Sequence, residues 1–139
     1  MSQLQPDHSS TAYHCGRLLA VLESIQRSAS DGKLNTTLID RFYGTASSAP
    51  ASVFGNLLRG AQPHLAKMRK NDRRKGAAYA LEQEMMDVID RIPAFPSTLV
   101  AKEQAIFALG YYHQRAHDRA QAQSHRRTTD VDDVQTDDE

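Results

Sequence analysis

Apolar residues recur along this chain at helical spacing. Cys15, Leu18, Leu22, Ile25 and Ala29 form one stripe, with Arg17, Glu23 and Arg27 off it. That pattern predicts a helix from about Ser10 or Thr11 to about Ser30, stopped by Ser30-Asp31-Gly32. A short second helix follows, from about Thr36 to Tyr43, capped by Asn35 or Thr36. It carries Leu38, Ile39 and Phe42 and ends at Gly44. Ser47-Ser48-Ala49-Pro50 reads as a cap followed by a proline in the first turn, where the missing N–H costs nothing. The third helix is expected to run on to about Lys75, burying Phe54, Leu57, Leu58, Ala61, Leu65 and Met68. Pro63 inside it predicts a kink or break near Arg59–Pro63. A fourth helix, about Ala77 to Ile92, turns Leu81, Met85, Val88, Ile89 and Ile92 inward and Glu84, Asp87 and Asp90 outward. Pro93 and Pro96 then enforce a turn. The fifth, about Leu99 to Gln123, presents Ile106, Phe107, Gly110 and the Tyr111-Tyr112 pair. No strand-like alternation competes with these elements, and short connections favour a bundle. The expected fold is all-α: a small antiparallel bundle of about five helices over residues 11–123. A flexible polar N-terminus, 1–10, and a disordered acidic tail, 124–139, flank it.

Composition supports this division. Of the 27 Leu, Ile, Val and Phe residues, 24 lie between Tyr13 and Tyr112, so the centre can build a core and the ends cannot. The 139 residues suit one domain. No apolar run approaches the roughly 18 residues of a membrane span, and no secretory pattern opens the chain, so a cytoplasmic location is expected. The lone Cys15 excludes an internal disulfide and reads as a small core residue.

Net charge is zero, with 17 basic and 17 acidic side chains, but the charges are segregated. Asp130, Asp132, Asp133, Asp137, Asp138 and Glu139 occupy the tail, leaving +6 over residues 1–129. Arg59, Lys67, Arg69, Lys70, Arg73, Arg74 and Lys75 gather within 17 residues, with Asp72 the one acid among them. On a continuous helix, Arg59, Lys67, Lys70, Arg73 and Arg74 would share an arc of about 120° opposite the apolar face. Such a face fits an anion-rich surface such as a nucleic-acid backbone; a solvated face without a partner is the plain alternative. A second, weaker basic cluster, Arg115, Arg119, Arg126 and Arg127, lies at the end of the last helix; for Arg115 and Arg119 the favourable negative end of the helix dipole is the simpler account. The tail suggests a solubilising role or mild competition for the basic face.

Candidates for catalysis are sparse. His113 and His117 stand i, i+4, a half-site spacing for zinc, but Gln114, Arg115 and Ala116 between them supply no HExxH glutamate. His14 and Cys15 point about 100° apart on a helix and cannot form a tight nucleophile–base pair. Glu84 and Asp87 read as solvent-facing carboxylates. No glycine-rich phosphate loop occurs. Tyr111 and Tyr112 offer rings for stacking on bases, although such a pair more often closes a bundle. The reading is a non-enzyme with no metal and no cofactor.

Three motifs carry a resemblance. Tyr13-His14-Cys15-Gly16-Arg17-Leu18-Leu19-Ala20-Val21-Leu22-Glu23, then Asp40-Arg41-Phe42-Tyr43-Gly44 with Ala46 through Phe54, and Phe107-Ala108-Leu109-Gly110-Tyr111-Tyr112-His113-Gln114-Arg115 are similar to the C-terminal helical region of the type I-C CRISPR Cascade large subunit. Leu57, Leu58 and His64-Leu65-Ala66-Lys67 extend the second block. The resemblance covers about Tyr13 to Arg115 of a much longer protein. With Met1 just upstream, it implies the free small subunit made from an internal start. It further implies a bundle that assembles in copies along the belly of the crRNA-guided complex, beside the backbone and large subunits. There it would hold target DNA and the crRNA–DNA heteroduplex by their backbones and steady the R-loop in antiviral defence. DNA cutting is implied to belong to a separate helicase–nuclease. The competing function is a protein-interaction adapter whose basic face docks on an acidic protein without touching nucleic acid.

Overall fold

A computed structural model describes the backbone of residues 3–30 and 38–137, and the side chains of 3–30 and 40–124. Among the described residues there are five α-helices and no strand: α1 Thr11–Ala29, α2 Leu38–Ser48, α3 Pro50–Arg69, α4 Lys75–Ile89 and α5 Ala101–Asp137.

The first helix is the axis of the bundle. It packs against all four others. Consequently every residue from Ala12 to Glu23 is buried, including His14, Arg17 and Glu23. The apolar stripe is therefore one side of a helix covered on every side, and Arg17 and Glu23 lie inside rather than in solvent. Tyr13, Leu18, Leu19, Leu22, Ile25, Phe54, Leu65, Met68, Phe107 and Tyr111 are the large side chains of the core. Phe95, between α4 and α5, stacks on Phe54 with ring centres 5.0 Å apart.

Local chemistry explains most helix ends. Past Ala29, the Ser30 N–H reaches the Gln26 carbonyl at 3.2 Å and its hydroxyl the same oxygen at 3.0 Å, closing α1. The second helix passes through Gly44 instead of ending there, because the glycine demands no left-handed turn and its neighbours continue the ladder. It stops before Ala49, which precedes Pro50 and is pushed out of the helical region, to φ −143° and ψ 69°. Ser47 and Ser48 donate their hydroxyls to the Gly44 carbonyl at 3.0 and 2.8 Å, so they finish α2 rather than cap α3. The caps expected at Asn35 or Thr36 lie outside the described residues.

In α3, Pro63 causes no break: the helix is continuous from Pro50 to Arg69. The break comes later, at residues 70–74, where the Asn71 side chain accepts the Arg73 N–H at 2.9 Å. The fourth helix then runs antiparallel to α1. Arg74 at its start donates to the Ser28 carbonyl near the end of α1. Arg91 beyond its end reaches Asp7 at 3.1 Å, before the start of α1.

Residues 3–10 form no helix, as their polarity predicts, but they are tied down. The Gln5 N–H donates to the Tyr13 hydroxyl at 3.0 Å, and His8 stacks on the Tyr13 ring at 4.3 Å. At the start of α5, Glu103 accepts the Val100 N–H at 3.1 Å, half of a capping box. The backbone of α5 continues past the end predicted near Gln123. The side chains of 125–139, with the acidic tail, lie outside the described residues.

Candidate nucleic-acid interface

The seven cations singled out by charge do not share one helix face. Because α3 stops at Arg69, Lys70 is its C-cap, Arg73 lies in the turn, and Arg74 is the N-cap of α4. Lys75 is the first residue of α4. The common arc assumed a continuous helix and fails at Asn71. What replaces it is a cationic turn at the end of the bundle where α1 also finishes.

Their partners sort the seven. Lys67, Lys70 and Arg73 are exposed, and their side chains form no ion pair among the described residues. Lys75 is exposed and stands 3.5 Å from Asp72, itself almost wholly in solvent, so the pair is screened and contributes little. Arg69 binds Glu82 of α4 and thereby ties α3 to α4. Arg74 is half-buried against Ser28. Arg59 lies about two turns before Lys67 and donates to Asn56, so the structure does not bring it into the group.

Electrostatics at the turn run in one direction. The first turn of α4 has no acidic residue and no side-chain cap, although a helix start is the positive end of its dipole. Arg73, Arg74 and Lys75 add cations there, which is unfavourable for the isolated helix. A methyl group added at Gly76 would meet nothing, so the backbone is open to solvent beside them. Lys67, Lys70, Arg73 and Lys75 all lie exposed in or beside this turn.

The other candidates are absorbed by the fold. Tyr111 is buried and donates to Glu23 at 3.1 Å, while Tyr112 is 59% exposed and edges against it. His113 Nδ1 shares a hydrogen bond with the Tyr13 hydroxyl at 2.7 Å, and His117 stands 3.8 Å from Glu84. Among the described residues no three His, Cys, Asp or Glu side chains are grouped to hold a metal ion. Burial pushes the Cys15 thiol up to about 12, so it stays protonated within the core. Arg115 lies 4.0 Å from the buried Glu23; the side chains of Arg126 and Arg127 lie outside the described residues.

A polar network, buried at Arg17 and Gln114 and half-buried at Ser24, Glu84 and Asp118, joins α1, α4 and α5. Arg17 Nε donates to Gln114 Oε1 at 2.9 Å, and the Gln114 amide donates to Asp118 at 2.9 Å and to Glu84. Ser24 donates to Asp118 at 3.1 Å. Sequence spacing could not reveal it, since Arg17 and Gln114 are 97 residues apart.

These features define a class: a small all-helical protein, polar inside along one seam, with a solvent-facing cationic turn at one end. The family model of the CRISPR-associated protein Cas_Csd1 matches residues 1–118, and the chain belongs to that family. It is thus a non-catalytic CRISPR-associated protein of a family found in Cascade complexes, where its members meet other Cascade subunits. No curated protein matches the chain. Among the described residues no helix is long and apolar enough to cross a membrane.

Proposed function

We propose that this chain is the small subunit of a type I-C Cascade surveillance complex. It holds nucleic-acid backbone without reading sequence and steadies the R-loop opened by the crRNA in the cytoplasm. In a guide-directed complex base pairing reads the sequence, and protein subunits handle shape and charge. The observation that carries the reading is the turn 67–75, where Lys67, Lys70 and Arg73 lack ion-pair partners among the described residues and Lys75 has a weak one. Cations left unpaired beside an uncapped helix start are poor for folding and good for phosphate. Arg59, Arg69 and Arg74, held by Asn56, Glu82 and Ser28, belong to the margin of this surface.

Four contacting cations give a slope of log K against log[salt] of roughly −2.8 on single strands. Replacing Lys70, Arg73 and Lys75 together by Gln is expected to flatten that slope by about 2 and to weaken target opening by the assembled complex. Unchanged affinity and slope would refute the assignment. Nuclease treatment of the purified assembly separates it from the adapter reading, because an adapter docked on an acidic protein would stay bound.

A further inference from the structure

The chain has five tyrosines, and the fold uses four of them. Tyr13 and Tyr111 are buried and hydrogen-bonded, Tyr43 edges against Phe107 and Tyr111, and Tyr112 edges against Tyr111. Tyr79 makes no ring contact and no hydrogen bond among the described residues, and it is 68% exposed. A ring left in water forgoes burial worth about 2 kcal/mol. Nothing in the packing of α4 requires an aromatic side chain there, since that helix buries Ala78, Met85 and Val88.

Its placement is specific. Lys75, Tyr79, Glu82 and Met86 follow one another at i, i+4, i+7 and i+11, a single flank of α4. Glu82 is bound by Arg69 of α3, so this flank lies along the α3 side of the helix. Tyr79 therefore follows Lys75 by four residues, a rise of about 6 Å, on the flank that carries Glu82 of the Arg69–Glu82 bridge, at the margin of the cationic turn. That separation is comparable with the reach from a phosphate to the base of its own nucleotide.

We infer that Tyr79 is a stacking platform for an unpaired nucleobase, and that the turn 67–75 is therefore built for single-stranded nucleic acid rather than duplex. The inference rests on the nucleic-acid reading above and adds to it a contact that charge alone does not supply. A duplex buries the faces of its bases in its own stack, whereas a single strand presents them, and every base has a face to offer. Lysines and arginines hold either form by its phosphates; an exposed phenol beside them discriminates between the two. Stacking is indifferent to base identity, which suits a subunit that does not read sequence.

The test is fluorescence anisotropy of the full chain with an oligothymidylate and with an abasic strand of equal length and charge. The intact strand is expected to bind about tenfold more tightly than the abasic one. Tyr79→Ala should bind both at the abasic affinity with an unchanged salt slope, and Tyr79→Phe should keep the preference. Because Tyr79 is outside the core, thermal melting of both variants should match the parent. Equal binding of intact and abasic strands by the parent overturns the stacking role while leaving backbone binding intact. Failure of both strands to bind overturns the nucleic-acid reading and this inference with it.

Discussion

Asp118 is the residue whose environment departs furthest from its sequence appearance as one more charge on a polar helix. It faces Ser24 and Arg17 from α1, Glu84 from α4, and Gln114 on its own helix, with His117 beyond, against Glu84. Burial, and then the negative charge of Glu84, push its carboxyl up to about 7. In an unfolded chain the same group titrates near about 3.9. A carboxyl whose folded value is raised contributes stability that is complete below about 4 and is lost as pH rises through about 7. Asp118→Asn, which replaces the protonated carboxyl by an uncharged amide able to donate to Glu84, should remove that slope. It should melt above the parent at pH near 8 and level with it near pH 4. His14 acts in the opposite sense, since burial holds it below its ordinary value and favours the fold at higher pH. Its effect is common to both proteins and cancels in their difference. A parent and variant with parallel melting profiles from acid to alkaline pH would refute the raised titration of Asp118.

At the scale of helices, the contact between α1 and α5 depends on two glycines. A methyl group on Gly16 would overlap the Phe107 carbonyl, and one on Gly110 would overlap the Tyr13 carbonyl. Both obstacles are backbone, so neither can swing aside, and the helices would have to part along the seam that holds the polar network. Gly110→Ala is expected to destabilise the fold by about 3 kcal/mol or more in chemical denaturation. Gly60→Ala, where the added methyl meets nothing inside α3, serves as the comparison and should stabilise the helix by up to about 1 kcal/mol. A Gly110→Ala variant as stable as the parent would show that the crossing is looser than its geometry. Both glycines sit inside motifs that stand out in the sequence, but their pairing does not. Periodicity reports which side of a helix is apolar and not which helix covers it. Five helices and the apolar faces of α3 and α4 were legible for that reason. The burial of Arg17 and Glu23 was not, because it follows from α5 closing over α1. The turn at Asn71-Asp72 had a local signal, two residues that favour turns, which a run of cations obscured. Pro63 misled in the other direction: it stands on the exposed side of α3, and the helix passes it without a break.

The whole molecule is electrically neutral and yet unbalanced, because six carboxylates after Thr129 offset a +6 excess spread over residues 1–129. Whether that offset matters to the cationic turn depends on range. Unpaired cations at the end of the bundle attract phosphate both by contact and through the field of the entire chain. Contact persists in physiological salt; the wider field is confined to about 8 Å at 0.15 M and reaches about 30 Å at 0.01 M. Truncation after Thr129 leaves every described core and turn residue in place while raising the net charge to +6. The truncated chain is therefore expected to bind oligothymidylate several-fold more tightly than the full chain at about 0.01 M salt, with the gap closing toward 0.15 M. Its plot of log K against log[salt] should accordingly be steeper. Identical affinities at low salt would mean that the turn works by contact alone, beyond the influence of the acidic segment.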